Sequence, residues 1–277
     1  MKDREPAGKK IYKKNKLKNR LDELYGKYNH RKFIHPDPLE FLYGYNDLRD
    51  REIVGLVSSS LAYGRVVQIL KSVNIILDKM KPSPYRFILE TGPEYLEECF
   101  KDFKHRFTAG SEIAGLLTAA AQMIKDSGSL NSAFLENYNS RDDNIIPASL
   151  DFCKNISILS NNSCCTLIPS HTGGSAFKRL NLFLRWMIRH DRVDPGGWKG
   201  IPAAKLIIPL DTHMHRISLH LGLTDRKQAD IKTAVEITGS FKKIEKNDPI
   251  RYDFALTRIG INNLPEELEQ MSFKKIF

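Results

Sequence analysis

Apolar residues recur along most of the chain at the three- and four-residue spacing of amphipathic helices, and convincing two-residue alternation is scarce. The clearest apolar stripe predicts a long helix over 51–79, with Asp50 as its cap and Gly64 as a point that divides it in two. Further helices are predicted over 17–28, 84–89, 93–103, 111–125, 130–138, 146–156, 175–189, 212–221, 225–243 and 249–259. The pattern therefore predicts an all-α protein.

Two segments depart from the helical pattern. Residues 1–16 carry many Lys and Arg side chains and few apolar ones, which predicts a flexible arm that adds salt-dependent affinity for phosphates. Residues 157–174 are rich in Ser, Asn, Thr and Gly, and this composition is typical of a loop. We therefore expect a basic arm over 1–16 and a single helical domain of two lobes over 17–277.

The charge balance narrows the class of partner. The 277 residues include 43 Lys and Arg against 33 Asp and Glu, a formal net charge of +10. This excess favours a polyanion, either nucleic acid or an anionic membrane surface, and charge alone does not choose between them. Apolar runs stay well short of the roughly 18 residues that a membrane-spanning helix needs, and we expect no membrane among the partners. The four cysteines lack the spacing of zinc or iron–sulfur sites, so we expect no metal, no cofactor and a reducing cytoplasm.

A first chemical candidate follows a pair of glycines. Gly173 and Gly174 allow a tight backbone turn, and Ser175 is the predicted cap of the next helix. That cap places Lys178 at the third helical position. The partial positive charge of a helix N-terminus disfavours an ammonium group there and favours the neutral amine that a nucleophile needs. A surface lysine without a chemical role is the alternative.

The same helix carries two arginines. Arg185 and Arg189 fall on one stripe with Lys178, beside the apolar face of the helix. Such a stripe predicts contact with a phosphate backbone, and it is equally typical of a solvated flank.

A second chemical candidate stands at the start of a later helix. An apolar run and a proline precede Asp211 and a threonine, which predicts an abrupt helix start with Asp211 as its cap. Capping alone explains this aspartate, although a cap can also leave one carboxylate oxygen facing a cleft. His213 and His215 are two residues apart and lie on different helix faces, so we do not expect them to share a metal ion.

These features together resemble the helix–hairpin–helix DNA glycosylase superfamily, which includes endonuclease III and the 8-oxoguanine glycosylases. The similarity lies in the glycine turn, the lysine early in the next helix and the later apolar-Pro-x-Asp-Thr-His helix start. The separation of 33 residues from Lys178 to Asp211 makes the chain more similar to the archaeal 8-oxoguanine glycosylases. With the Asp-Pro-Gly-Gly-Trp loop at 194–198, it also resembles an uncharacterised prokaryotic family related to them.

The resemblance implies a two-lobed helical fold with a helix–hairpin–helix-like element and a cleft between the lobes. It implies that Lys178 is the nucleophile of a DNA glycosylase with AP-lyase activity, and that Asp211 assists attack at the sugar. The expected substrate is an oxidised purine such as 8-oxoguanine in double-stranded DNA. The expected protein is a cytoplasmic, nucleoid-associated monomer in base excision repair.

Two departures from the superfamily pattern bear on this expectation. The usual apolar-Pro-Gly-apolar-Gly-x-Lys hairpin is replaced at 167–174 by Leu-Ile-Pro-Ser-His-Thr-Gly-Gly, which puts phosphate binding by hairpin amides in doubt. The four-cysteine loop of endonuclease III is absent, so no iron–sulfur cluster is expected. The alternative is a non-catalytic DNA- or RNA-binding protein on the same scaffold, in which Lys178 contacts phosphate and Asp211 only caps.

The resemblance adds further candidate contacts. Tyr63 and Arg65 lie at the predicted helix break, where the superfamily contacts the opened duplex. Asp253 and Thr257 lie one turn apart on a C-terminal helix that corresponds to one lining the base pocket, although a solvated helix face explains them equally well. Trp198 is a candidate for stacking on the extruded base, with a place in the core as the alternative.

Overall fold

A computed structural model describes residues 7–164, 166–169 and 175–261, with side chains from residue 14 to residue 259 of these. This described part is mostly helical, which confirms the all-α prediction. Its α-helices and strands are α1 Ala7–Tyr28, α2 Leu48–Ser60, α3 Val66–Lys79, α4 Pro84–Glu90, α5 Pro93–Phe100, β1 Lys104–His105, β2 Thr108–Ala109, α6 Gly110–Ser127, α7 Leu130–Leu135, α8 Ile146–Leu159, α9 Lys178–Ile188, α10 Thr212–His220, α11 Ile231–Lys242 and α12 Asp253–Ile261. Short 3₁₀ turns occur at Arg31–Phe33, Pro38–Gly44 and Ala203–Lys205.

The described residues fall into two compact units. Unit 1 comprises residues 7–33, 175–178 and 202–261, and it contains α1, α10, α11 and α12. Unit 2 comprises residues 34–164, 166–169 and 179–201. It contains α2 to α8, the β1–β2 hairpin and α9 from the second residue of that helix onward. Each unit has its own apolar core.

The core of unit 1 forms where α12 packs against α1 and α10. The predicted apolar stripe of α1 is buried, with Leu17 and Leu21 fully covered. The hydroxyl of Tyr252, just before α12, donates a hydrogen bond of 2.7 Å to Asp22 Oδ1 on α1. The N-terminal helix is thus held to this unit by both apolar packing and a partly buried polar contact.

The core of unit 2 is centred on α6, which packs against α5, α7 and α8. Beside it lies a cluster of aromatic rings formed by Phe134, Phe152, Phe183 and Trp198. The buried carboxylate of Glu52 accepts hydrogen bonds from the first two amides of α7, at 3.3 and 3.0 Å. Burial raises the pKa of Glu52, and the amide bonds oppose that rise.

The predicted helix over 51–79 is divided at Gly64, whose φ of +96° favours glycine and ends any continuous helix. The predicted cap is wrong, because the Asp47 side chain accepts from the helix amides instead and α2 begins earlier. Asp50 lies in the first turn of α2 and accepts from Ser83 Oγ and the Tyr85 amide, at 2.6 and 3.0 Å. Asp50 therefore stabilises the start of α4, a tertiary contact that local spacing does not reveal.

Other helix boundaries also differ from the predicted ones. The first helix begins at Ala7 rather than at residue 17, and so it includes part of the predicted arm. Helix α8 continues to Leu159, into the predicted loop. Helix α11 begins after Asp230 rather than at residue 225, because the Asp230 side chain accepts from the Thr233 amide and fixes the start.

The last helix begins four residues later than predicted. Two turns occupy the predicted start: the Asp248 carbonyl accepts from the Arg251 amide, and the Ile250 carbonyl accepts from the Asp253 amide. The helix then runs to Ile261, beyond the predicted end at residue 259. No helix in the described part of the chain combines the length and apolar character needed to span a membrane.

Candidate functional site at two helix starts

Lys178 and Asp211 lie side by side in unit 1. Lys178 is the first residue of α9, and Asp211 directly precedes α10. Lys178 Nζ lies 3.4 Å from Asp211 Oδ2, and the two side chains keep 35% and 24% of their surface exposed. The structure thus brings together the two residues to which the sequence assigns chemistry, in a place that solvent reaches.

The two carboxylate oxygens of Asp211 have different partners. Oδ1 accepts a hydrogen bond of 2.8 Å from the Met214 amide and so caps α10, as predicted. Oδ2 faces Lys178 at a distance longer than the roughly 2.8 Å of a strong charge-assisted hydrogen bond. The cap fixes the orientation of the carboxylate, while the second oxygen stays in a loose ion pair that an incoming group can replace.

The segment before Lys178 differs from the prediction. Ser175 is not the helix cap: it forms an isolated backbone bridge with Asp230, and α9 begins at Lys178. Lys178 therefore occupies the first helical position instead of the third. Phe177 has a φ of +51° and a side chain that is only 4% exposed. Burial of its ring holds a backbone conformation that costs about 1 kcal/mol or more in a non-glycine residue, and it fixes where Lys178 emerges.

A second aspartate cap stands close to Ser175 in this unit. Asp230 Oδ1 accepts from the Thr233 amide at 2.8 Å, and Oδ2 accepts from Arg226 Nη2 at 2.9 Å. The Thr233 hydroxyl also lies 3.0 Å from Asp230 Oδ1. The Thr233 amide, more than any other partner, holds the pKa of Asp230 below its usual value. Sequence reasoning missed this residue, although aspartate is among the residues preferred directly before a helix.

The two histidines of α10 face different environments, as predicted. His213 is exposed, whereas His215 is buried and its Nε2 lies 2.8 Å from the Arg226 carbonyl. Across the described residues, no three His, Cys, Asp or Glu side chains come together as a metal site requires.

Arg185 and Arg189 are not positioned as predicted. Both side chains are only 4% exposed, and both form ion pairs with the fully buried Asp194 in unit 2. Arg189 also pairs with Asp191 at 2.9 Å. Neither a phosphate contact nor a solvated flank fits these two arginines, because their charges are neutralised inside the unit. Their sequence spacing placed them on one stripe but did not show that the 191–194 turn folds back onto it.

Two residues at the helix break were predicted to contact DNA, and the structure places them in different environments. The Tyr63 hydroxyl donates to the His105 carbonyl at 2.8 Å, and the Tyr63 ring packs edge-on against the His105 ring. Tyr63 therefore joins the α2–α3 turn to the hairpin. Arg65 is exposed and remains available to a partner.

The remaining predicted contacts are mostly buried. Trp198 is 4% exposed, and its ring is covered by Phe134 and Phe183, so it presents no face on which a base stacks. On α12, Asp253 is 2% exposed, whereas Thr257 is half-buried and donates to the Phe254 carbonyl.

The predicted hairpin contacts Gly173 and Gly174 lie outside the described residues.

Comparison with known proteins gives one match. Residues 37–262 match the model of a protein family of unknown function (DUF2400), and this range contains Lys178, Asp211 and most of both units. The chain belongs to this family. Neither the curated proteins nor the solved structures contain a match to the chain.

Proposed function

We propose that this member of the DUF2400 family is a DNA glycosylase with AP-lyase activity, in which Lys178 is the nucleophile. The observation that carries the proposal is the approach of Lys178 Nζ to within 3.4 Å of the uncapped oxygen of Asp211. A two-lobed glycosylase fold with a helix–hairpin–helix element belongs to the same proposal and rests on the sequence resemblance.

In the proposed reaction, the proton that pairs Lys178 with Asp211 first passes to solvent. The free amine then forms a bond to C1′ of the damaged nucleotide as the bond from C1′ to the base breaks. The base leaves with the electron pair of that bond and takes up a proton, while Nζ loses one. Asp211 Oδ2 stabilises the positive charge that develops on the sugar, and Asp211 Oδ1 stays on the Met214 amide. Loss of a second proton from Nζ and opening of the sugar give a Schiff base, from which β-elimination cleaves the strand.

The proposed substrate is a flipped oxidised purine such as 8-oxoguanine in double-stranded DNA. Removal of a base from a duplex requires that the nucleotide leave the stack, because the sugar is otherwise inaccessible to a side chain. The net charge of +10 supports a polyanionic substrate. We propose that the protein acts as a monomer, without a cofactor.

Borohydride trapping tests this function. The full chain is incubated with duplexes that carry 8-oxoguanine, other oxidised bases or an abasic site, and a Schiff base is then reduced to a stable adduct. We expect an adduct on at least one lesion with the native protein and none with Lys178→Ala. Lys232→Ala is the matched control, because Lys232 is also an exposed lysine in the first turn of a helix of this unit. This control should form the adduct as the native chain does.

The outcomes separate the two candidate functions. An adduct that persists in Lys178→Ala would assign the nucleophile to another residue. Salt-dependent DNA binding without an adduct on any lesion would instead favour a non-catalytic DNA- or RNA-binding protein, in which Lys178 contacts phosphate and Asp211 is only a cap.

A further inference from the structure

An exposed aromatic ring stands at the tip of the hairpin in unit 2. Phe107, between β1 and β2, is 74% exposed, more than any other large apolar side chain that the structure describes. The neighbouring Arg106 has a φ of +53°, and its guanidinium lies 5.3 Å from the centre of the Phe107 ring. We call Arg65, Lys104, Arg106 and Phe107 the hairpin-tip surface.

The hairpin is held firmly against the α2–α3 turn. His105 is buried, with Nδ1 2.9 Å from Ser72 Oγ and Nε2 3.0 Å from the Tyr63 carbonyl. Burial lowers the pKa of His105 and so favours the neutral ring. The Tyr63 hydroxyl also lies 2.7 Å from Thr108 Oγ1. The exposed tip is thus supported by a buried polar network and is not a loose loop.

The side chain of Arg106 joins the tip to the helix break. A β-carbon at Gly64 would lie 2.8 Å from Arg106 Cδ, so the arginine side chain runs directly over this glycine. Arg65, the next residue, is exposed at the start of α3. Arg65, Arg106 and the ring of Phe107 therefore belong to one continuous surface.

The charge of this surface is uncompensated. Arg65, Lys104 and Arg106 are all exposed, and none of them pairs with a carboxylate within the described residues. The nearest acidic residue along the chain is Asp102, which lies beside Lys101. Three exposed cations beside an exposed aromatic ring form a positively charged surface, which favours a polyanionic partner.

We infer that the hairpin-tip surface binds DNA in which a base is unstacked, with the Phe107 ring stacked on a base and the three cations on flanking phosphates. Base stacking on an aromatic ring and neutralisation of phosphates are the two contacts by which proteins hold single-stranded or opened nucleic acid. The identity of the polymer rests on the proposed function. None of the four residues of the hairpin-tip surface belongs to the Lys178–Asp211 pair, so substitutions can test the two separately.

The test measures binding of the full chain to fluorescent oligonucleotides, namely a single strand, a matched duplex and a duplex with an unpaired base. Phe107→Ala should weaken binding to the single strand and to the unpaired base by about tenfold and leave binding to the matched duplex less affected. Phe107→Trp should retain binding, and the fluorescence of the new indole should be quenched by the DNA. Arg106→Gln should reduce the slope of log affinity against log salt by about one phosphate contact.

Matched controls use residues that are equally exposed in the same unit. Tyr95 on α5 is 61% exposed, and Arg141 is exposed in the segment between α7 and α8. Tyr95→Ala and Arg141→Gln should bind each oligonucleotide within twofold of the native chain. A similar result for Phe107→Ala would overturn the inference.

Two other occupants are distinguished by parallel measurements. If Phe107→Ala weakens binding to vesicles of anionic lipid but not to DNA, or changes only the oligomeric state, the hairpin-tip surface binds a membrane or a second copy and the inference fails. If Phe107→Ala weakens DNA binding while no adduct forms at Lys178, the inference holds and the glycosylase proposal fails. If the adduct forms at Lys178 while Phe107→Ala leaves DNA binding unchanged, the glycosylase proposal holds and the inference fails.

Discussion

Two helices of unit 1 are capped by an aspartate in the same way, and they differ in the partner of the second carboxylate oxygen. Asp211 caps α10 and Asp230 caps α11, each with one oxygen 2.8 Å from the third amide of its helix. The second oxygen of Asp230 receives Arg226 at 2.9 Å, four residues away in sequence. The second oxygen of Asp211 faces only Lys178 within the described residues, at 3.4 Å and from a distant part of the chain.

The contrast separates a structural carboxylate from one that is available for chemistry. Asp230 is committed to local partners, which include the amide and hydroxyl of Thr233, and these hold its pKa below the usual value. Asp211 Oδ1 accepts from the Met214 amide as the helix cap, and Oδ2 lies in a loose ion pair with Lys178. The same helix-start pattern in a sequence therefore predicts either a structural carboxylate or one that is available for chemistry. The partner of the second oxygen decides between the two.

The largest expected effect is on the proposed reaction. Asp211→Asn keeps a good helix cap but removes the charge that would stabilise the developing positive sugar. We expect the rate of adduct formation to fall by about a hundredfold, as for loss of one electrostatic stabiliser in other enzymes. Asp230→Asn should leave the rate unchanged in the same single-turnover trapping assay. Equal losses in the two variants would erase the distinction between the caps.

The next effect is on stability, and it concerns α11. Thr233 is fully buried, and its hydroxyl contacts the Gln228 carbonyl and Asp230 Oδ1 at 2.6 and 3.0 Å. Thr233→Val keeps the shape but removes the hydroxyl that donates to the Gln228 carbonyl and accepts from Arg226 Nε at 2.8 Å, which should lower the free energy of unfolding by about 1–3 kcal/mol. Urea denaturation measures this. Thr212→Val, at an exposed position in the first turn of α10, is the control and should change stability by less than about 0.5 kcal/mol.

A smaller effect on stability is expected at the cap of α10. Asp211→Ala removes the acceptor for the Met214 amide and should cost about 1 kcal/mol. Asp211→Asn should cost less, because asparagine caps nearly as well. If both variants were as stable as the native chain in urea, the Asp211 cap would contribute nothing and the carboxylate would be held there for another reason.

The smallest effect is in the dependence of stability on pH. The pKa of Asp230 is lower in the folded chain than its usual value of 3.8, so its contribution is present above that value and is lost as the pH falls below it. Asp230→Asn should therefore lose less stability than the native chain between about pH 4 and pH 2. Urea midpoints at both pH values measure the difference. The two chains should show the same slope between about pH 6 and pH 7, where this carboxylate is ionised in both states.

Local sequence was sufficient for much of the candidate site. The pattern around Asp211 predicted both the start of α10 and the cap, because capping depends on residues within one turn. Lys178 was identified from the same kind of signal, although Phe177 has a left-handed conformation and the helix starts two residues later than that signal placed it. Asp230 and Phe107 were missed, since one was placed inside a predicted helix and the other looked like an ordinary apolar residue.

The wrong expectations concern contacts between distant segments. Arg185 and Arg189 fit an exposed stripe by helical spacing, but a buried Asp194 neutralises them inside unit 2. Trp198 was expected to face a base, but two phenylalanines enclose it. Asp50 was expected to cap its own helix and instead supports the start of α4. In each case the residue type suits either environment, and only packing selects one.

The sequence by itself determined the helical class, the break at Gly64, the cap at Asp211 and the basic charge, because these depend on short-range periodicity, capping and composition. The tertiary structure decided which side chains meet: Lys178 with Asp211, the two arginines with Asp194, and the hairpin with the α2–α3 turn. Such pairings depend on how the chain folds back on itself, and no spacing along the sequence encodes that distance.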